Sequence, residues 1–175
     1  SFFKHGSPRV VANTVSAAYA LSPEQASTAA LALLNHEDNR VLANVLVILQ
    51  DKDPERCMGH LRLMARSRKE AHRASVLYCF KQIKGENLSD ALLEMYTEED
   101  VPALVQQEAD LLAAYGNAEA VDALVMFAAK RADRFDSTKA ILESITQRLG
   151  WEPEKLQKQI FNTQSSLSSI CPVAT

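Results

Sequence analysis

The chain has 175 residues, of which 47% are hydrophobic, and its formal net charge is −3. That hydrophobic content excludes a globally disordered chain, and the charge gives no general attraction to nucleic acid or to an anionic membrane. No apolar run reaches the ~18 residues of a membrane-spanning helix, so no such segment is predicted.

Ten helices are predicted from apolar residues spaced at i, i+3, i+4 and i+7. Ser22 is a predicted capping residue and is followed by Pro23, which suits the first helical position. Asp53 and Pro54 repeat that arrangement, and Asn117 can cap a later helix. In chain order the predicted helices cover residues 8–20, 23–35, 39–50, 54–66, 69–83, 87–96, 101–115, 118–131, 137–149 and 153–164.

A short phrase occurs twice, as HGSPRVVANTV in residues 5–15 and as HEDNRVLANVL in residues 36–46. His5 and His36 precede the first helix of each copy and are expected to be loop residues that hydrogen-bond to a neighbouring turn. The two copies lie 31 residues apart. At a further shift of 31 residues along the chain, the apolar positions remain apolar while the polar residues change. This recurrence indicates repeated structural units with a shared core and variable surfaces.

Each unit reads as a helical hairpin, which cannot bury its apolar face alone and must stack on its neighbours. The sequence therefore predicts an all-α fold, a right-handed α-solenoid of about five antiparallel helical hairpins. A compact helical bundle is the alternative, although a bundle does not call for a 31-residue recurrence. The expected boundaries are 1–164 for the solenoid domain and 165–175 for a flexible tail.

The start of each unit resembles the HEAT-like repeat family. In that family an acidic residue, a Val, an Arg and an Ala lie on the first helix, and Asp38, Arg40, Val41 and Ala43 match this pattern with Arg and Val in swapped order. The first copy matches less fully, because Ser7 stands at the acidic position. The resemblance covers roughly residues 5–130. It implies a partner-binding scaffold whose concave face is lined by the second helices of the hairpins.

Catalytic motifs are absent from the sequence, which has no Gly-rich phosphate loop, no GxSxG and no HExxH. Cys57 and His60 are spaced to begin a metal site on one helix, but no second pair has ligand spacing. Cys57 and Cys79 are predicted to pack in the core, and Cys171 to be an inert thiol in the tail. Three scattered cysteines fit a reducing, cytoplasmic setting. We therefore predict no enzymatic activity and no cofactor.

Charge is strongly segregated along the chain. Residues 54–84 hold eight Lys or Arg and two Asp or Glu, whereas residues 85–129 hold ten Asp or Glu and no Lys or Arg. Either neighbouring repeats attract one another, or the acidic half docks a basic partner. Helical phase then predicts a line of exposed residues on the second helices, which forms the candidate binding site. Its members are Arg56, Leu63, Asp90, Glu94, Glu119, Asp122 and Met126.

The leading hypothesis is a non-catalytic scaffold, adaptor or regulatory domain that binds a protein segment on this acidic concave face. A nucleic-acid-binding repeat is an alternative, based on the basic residues 66–73, although no aromatic residues interleave there. An enzyme or a divalent-cation site built from clustered carboxylates is a third. The chain begins at Ser1 and is expected to be part of a longer protein. Its first helix, with Arg9 as the only charge, is expected to be covered by an upstream domain or a second copy.

Overall fold

The structure is a computed structural model that describes residues 5–84 and 86–170. Within those ranges it is all-helical and contains no strand, which confirms the predicted all-α class. The chain divides into two compact units, Ser1–Ile83 and Lys84–Thr175. The described helices are α1 (Pro8–Leu21), α2 (Pro23–Leu31), α3 (Asn39–Leu49), α4 (Pro54–Ala65), α5 (Glu70–Ile83), α6 (Ser89–Glu98), α7 (Pro102–Tyr115), α8 (Ala118–Lys130), α9 (Phe135–Arg148) and α10 (Pro153–Ile170).

All ten predicted helices are present, and each differs from its predicted bounds, by one or two residues except at the ends of α2 and α10. Helix α2 stops at Leu31 rather than at residue 35, because the next amides bond three residues back, as in the Leu33 N–H to the Ala30 oxygen at 2.9 Å. Helix α10 continues to Ile170, through the first part of the expected tail, since no Gly or Pro interrupts it. Residues 171–175, with Cys171, lie outside the described residues.

In the first unit, α1, α3 and α5 pack side by side, with α1 against α3 and α3 against α5. Helix α2 packs against α1 and α3, and α4 packs against α3 and α5. The core between them uses the repeated apolar positions. Val45 and Leu46 on α3 and their counterparts Val76 and Leu77 on α5 are all fully buried. Burial of each such side chain stabilises the fold by about 1.5–3 kcal/mol. The apolar residues that recur every 31 positions therefore form the core of this unit.

In the second unit, α7 packs against α6 and α9, and α8 packs against α6, α9 and α10. Leu92 on α6 and Leu124 on α8 occupy one repeat position and are fully buried, as is Leu61 on α4 of the first unit. Met95 is also buried, while Phe127 at the equivalent position is partly exposed. These repeat positions of the second helices therefore belong to the core, with Phe127 as a partial exception.

The two histidines of the repeated phrase make the same hydrogen bond. The backbone N–H of Ser7 donates to Nδ1 of His5 at 3.0 Å, and the N–H of Asp38 donates to Nδ1 of His36 at 3.0 Å. The expected loop role is thus confirmed, although each bond lies within its own turn. Because Nδ1 accepts, the neutral ring carries its proton on Nε2.

Helix caps follow the sequence in part. The Asp53 side chain accepts from the Arg56 N–H at 3.2 Å, and the Asn117 side chain accepts from the Ala120 N–H at 3.0 Å. The Ser22 side chain makes no cap hydrogen bond, so the prediction of a capping serine there is wrong. The helix start at Pro23 is retained because a proline at the first position needs no partner for its nitrogen.

A polar link joins α6 to α9. Tyr96 is fully buried, and its hydroxyl lies 3.0 Å from Oγ1 of Thr138 and 3.2 Å from Oγ of Ser137. Arg134 donates to the backbone oxygens of Tyr96, at 3.0 Å, and of Glu99. These bonds satisfy carbonyls at the end of α6 that have no partner within the helix.

Removing the Tyr96 hydroxyl should therefore destabilise the second unit. Tyr96→Phe leaves the buried Thr138 hydroxyl without this partner, and we expect a loss of about 1–2 kcal/mol in the free energy of unfolding, measured by urea denaturation. Tyr115→Phe is the control, because the Tyr115 hydroxyl makes no hydrogen bond within the described residues. Equal effects of the two changes would contradict a role for the Tyr96 hydroxyl bonds.

Candidate functional site

Five of the seven predicted site residues lie in the second unit, on two helices that pack against each other. All five are exposed, and we call this surface the acidic face. Four of its members are acidic, and the fifth is an apolar side chain that is 41% exposed. Its residues are Asp90 and Glu94 on α6, and Glu119, Asp122 and Met126 on α8.

The acidic face also borders α10. The Gln159 side-chain amide donates to Oδ1 of Asp122, which ties this carboxylate to the neighbouring helix. The second oxygen of the carboxylate keeps its acceptor capacity. Asp122 is therefore oriented by the fold while it remains exposed.

The other two predicted site residues, Arg56 and Leu63, lie on α4 in the first unit. Both are exposed, and the Leu63 side chain keeps 73% of its surface accessible. The predicted site residues are thus divided between the two units, with the four carboxylates in the second unit.

The basic stretch of residues 66–73 is a turn and helix start between α4 and α5. The Arg73 guanidinium donates to the backbone oxygen of Ser67 at 2.8 Å, and the Lys69 N–H donates to the Ser67 hydroxyl at 3.2 Å. The Arg73 side chain is half-buried, and its hydrogen bond to Ser67 stabilises the turn. One of the four cations in this stretch therefore has a structural role.

The two described cysteines are core residues, as predicted. Cys57 and Cys79 keep at most 1% of their surface accessible. Burial, with a smaller contribution from the charge of Asp53, raises the pKa of the Cys57 thiol to about 11. Burial raises the pKa of the Cys79 thiol to about 12. Within the described residues, no three His, Cys, Asp or Glu side chains lie close enough together to hold a metal ion.

A groove in the first unit was not predicted. It has a volume of about 470 Å³ and is lined by residues of α1, α3 and α5. We call it the first-helix groove. Ala12, Ala43 and Ala74 line it, one from each helix and each at the same repeat position. Because alanine fills little space between neighbouring helices, the repeat leaves room there. Arg9 and Arg40, which are also equivalent in the repeat, line the groove and are exposed.

Asparagine side chains fix the three helices of this groove. The Asn44 side-chain amide donates to the Ala12 oxygen on α1 at 3.1 Å, and its Oδ1 accepts from the Tyr78 hydroxyl on α5 at 3.1 Å. The Asn39 amide donates to the Ala71 oxygen at 2.9 Å and to the Ser75 hydroxyl. The polar residues of the repeated phrase therefore serve as links between successive first helices.

The signal for the groove was present in the sequence. The repeated phrase places Arg and Asn four residues apart, as Arg9 with Asn13 and Arg40 with Asn44, and residues at this spacing share one face of a helix.

Within the described part of the chain, no helix has the length and apolar character needed to cross a membrane. No protein-family model, no curated protein and no solved structure matches the chain.

Proposed function

We propose that this chain is a non-catalytic protein-interaction scaffold, built in each unit from HEAT-like helical hairpins, that binds a basic segment of a partner protein on the acidic face. The observation that carries the proposal is that two packed helices, α6 and α8, expose four carboxylates and the apolar side chain of Met126. The α-solenoid architecture is part of the proposal. It is supported by the side-by-side packing of α1, α3 and α5, and by the contacts of α8 with α6 and α10.

The composition of the acidic face suits protein recognition. An apolar side chain within a charged surface can supply affinity through burial, while the surrounding charges direct encounter and orientation. Exposed charges contribute little to affinity individually, so the partner is expected to present an apolar anchor as well as Lys or Arg. Asp122, oriented by Gln159, offers a fixed carboxylate oxygen to a guanidinium or ammonium group.

Charge reversal at Asp90, Glu94 and Asp122 together should abolish partner capture. The tagged chain is used as bait in a lysate at low and at physiological salt, and captured proteins are compared with those of wild type by quantitative mass spectrometry. Proteins held by wild type should fall at least tenfold with the variant, because six units of charge change on one surface, two at each of three sites.

The matched control reverses three exposed carboxylates elsewhere in the second unit, Asp110, Glu143 and Glu152. This control makes the same change in net charge and should retain the captured proteins. An identical set of captured proteins for wild type and for the acidic-face variant would contradict the proposal. Equal losses with both variants would also contradict it, because capture would then follow net charge alone.

A further inference from the structure

We propose that the first-helix groove is a second binding site, independent of the acidic face, that takes an extended, acidic segment of a partner protein. The groove belongs to the first unit and the acidic face to the second, so the two sites are tested separately. The inference rests on the charge of the groove, on its open hydrogen-bonding groups and on its shape.

The three helices that form the groove are positively charged. Together α1, α3 and α5 carry four Lys or Arg residues and a single acidic residue, Glu70. Within the described residues the guanidinium groups of Arg9 and Arg40 form no ion pair and no hydrogen bond. Oδ1 of Asp38, two residues before Arg40, accepts from the backbone N–H groups of Arg40 and Val41 at 2.9 and 3.2 Å. Two cations thus line a cleft, and no carboxylate of the described residues forms an ion pair with them.

The polar groups of the groove match a peptide backbone. Both ends of the Asn44 amide are engaged, its nitrogen by α1 and its oxygen by α5, whereas the exposed Asn13 amide, at the equivalent position of the first copy, has no hydrogen bond within the described residues. A primary amide both donates and accepts, as pairing with a peptide unit requires. An Arg guanidinium binds a carboxylate through two parallel hydrogen bonds. The combination favours a chain that offers both backbone amides and carboxylate side chains.

The shape of the groove favours an extended ligand. Its floor is formed by one alanine from each of three adjacent helices, so it runs across the helices. Packed helices lie about 8–10 Å apart, and Arg9 and Arg40 are one helix apart at equivalent positions. In an extended peptide, side chains on one face recur every ~6.6–6.8 Å, a spacing that two flexible Arg side chains can match. The partner is therefore expected to carry Asp or Glu at alternate positions.

Fluorescence anisotropy with a labelled peptide that alternates aspartate and alanine tests the proposal on the full chain. We expect saturable binding to wild type, at least tenfold weaker binding to the Arg9→Glu, Arg40→Glu double variant, and loss of binding when asparagine replaces aspartate in the peptide. Arg62→Glu with Arg68→Glu is the matched control, because both residues are exposed, belong to the first unit and do not line the groove. This control should bind like wild type.

Circular dichroism checks that each variant is folded, and Arg9→Gln with Arg40→Gln replaces the reversed pair if that pair is not. The acidic-face variant should bind the peptide like wild type, which separates this site from the proposed function. Binding that is absent, or equal for the two peptides, or equally lowered in the control, would overturn the inference. So would tighter groove-dependent binding of a short duplex DNA than of the peptide, since the groove would then be a polyanion site.

Discussion

Replacing Gly116 with alanine should lower the free energy of unfolding by about 1–3 kcal/mol, because the new methyl group has no space. Gly116 is buried at the end of α7, and a Cβ there would lie 2.5 Å from Cδ1 of Ile145 and 2.7 Å from the backbone oxygen of Leu112. Ile145 is itself fully buried, so its side chain cannot turn toward solvent. The backbone oxygen is fixed by the helix. Either α7 or α9 has to shift, and the Arg148 hydrogen bond to the Gly116 oxygen shifts with it.

Gly59→Ala is the matched control, and it should raise the free energy of unfolding rather than lower it. Gly59 lies inside α4, and a Cβ there meets no atom within 4 Å. Alanine favours helix over glycine by about 0.5–1 kcal/mol, so this change should stabilise the chain. Urea denaturation followed by circular dichroism compares the two variants with wild type. A Gly116→Ala protein as stable as wild type, or changes of the same sign in both variants, would contradict the packing described at Gly116.

Cys57 and Cys79 should be nearly inert to alkylation in the folded protein. At pH 8, a thiol with a pKa of about 12 has a thiolate fraction near 10⁻⁴, against about 10⁻¹ at the ordinary value of 9.0. Since the thiolate is the nucleophile, Cys79 should react with iodoacetamide roughly a thousandfold more slowly than in the unfolded chain. Mass spectrometry of a Cys171→Ser variant, with and without urea, gives both rates. Comparable rates in the two states would show that the thiols are accessible.

The same raised pKa values predict a loss of stability at alkaline pH. Between the unfolded value of 9.0 and the native values of about 11 and about 12, the native state keeps thiol protons that the unfolded state releases. The free energy of unfolding therefore falls as pH rises through this window. Lysines and tyrosines also titrate there, so the measurement is a comparison. The fall between pH 8 and pH 10.5 should be smaller in Cys79→Ala than in wild type, and an equal fall would contradict a buried neutral thiol.

The helices could be predicted because local chemistry decides where they begin. Pro23 and Pro54 stand at first helical positions, and the starts of α2 and α4 lie at those residues. Helix ends were less predictable. The end of α2 at Leu31 depends on three-residue hydrogen bonds in the turn before α3, and a helical pattern of apolar residues does not encode them.

The recurring Arg and Asn residues indicate a shared helix face, but the sequence does not predict the cavity itself, because the cavity is defined by missing side-chain volume. Ala12, Ala43 and Ala74 look like ordinary helix-forming positions until the helices are set side by side. The recurrence of Asn44 with Asn13 marks a repeat position, but it does not identify hydrogen-bond partners. Its actual partners, Ala12 on α1 and Tyr78 on α5, follow from the packing of three helices and not from spacing along one.

For the peptide site proposed in the first-helix groove, the number of repeats sets the length of the peptide segment that can be bound. Each 31-residue unit adds one first helix, which widens the row by about 8–10 Å. An extended peptide advances about 3.3 Å per residue, so one unit corresponds to about two to three residues of ligand. Duplicating or deleting residues 36–66 is expected to lengthen or shorten the bound segment by that number of residues.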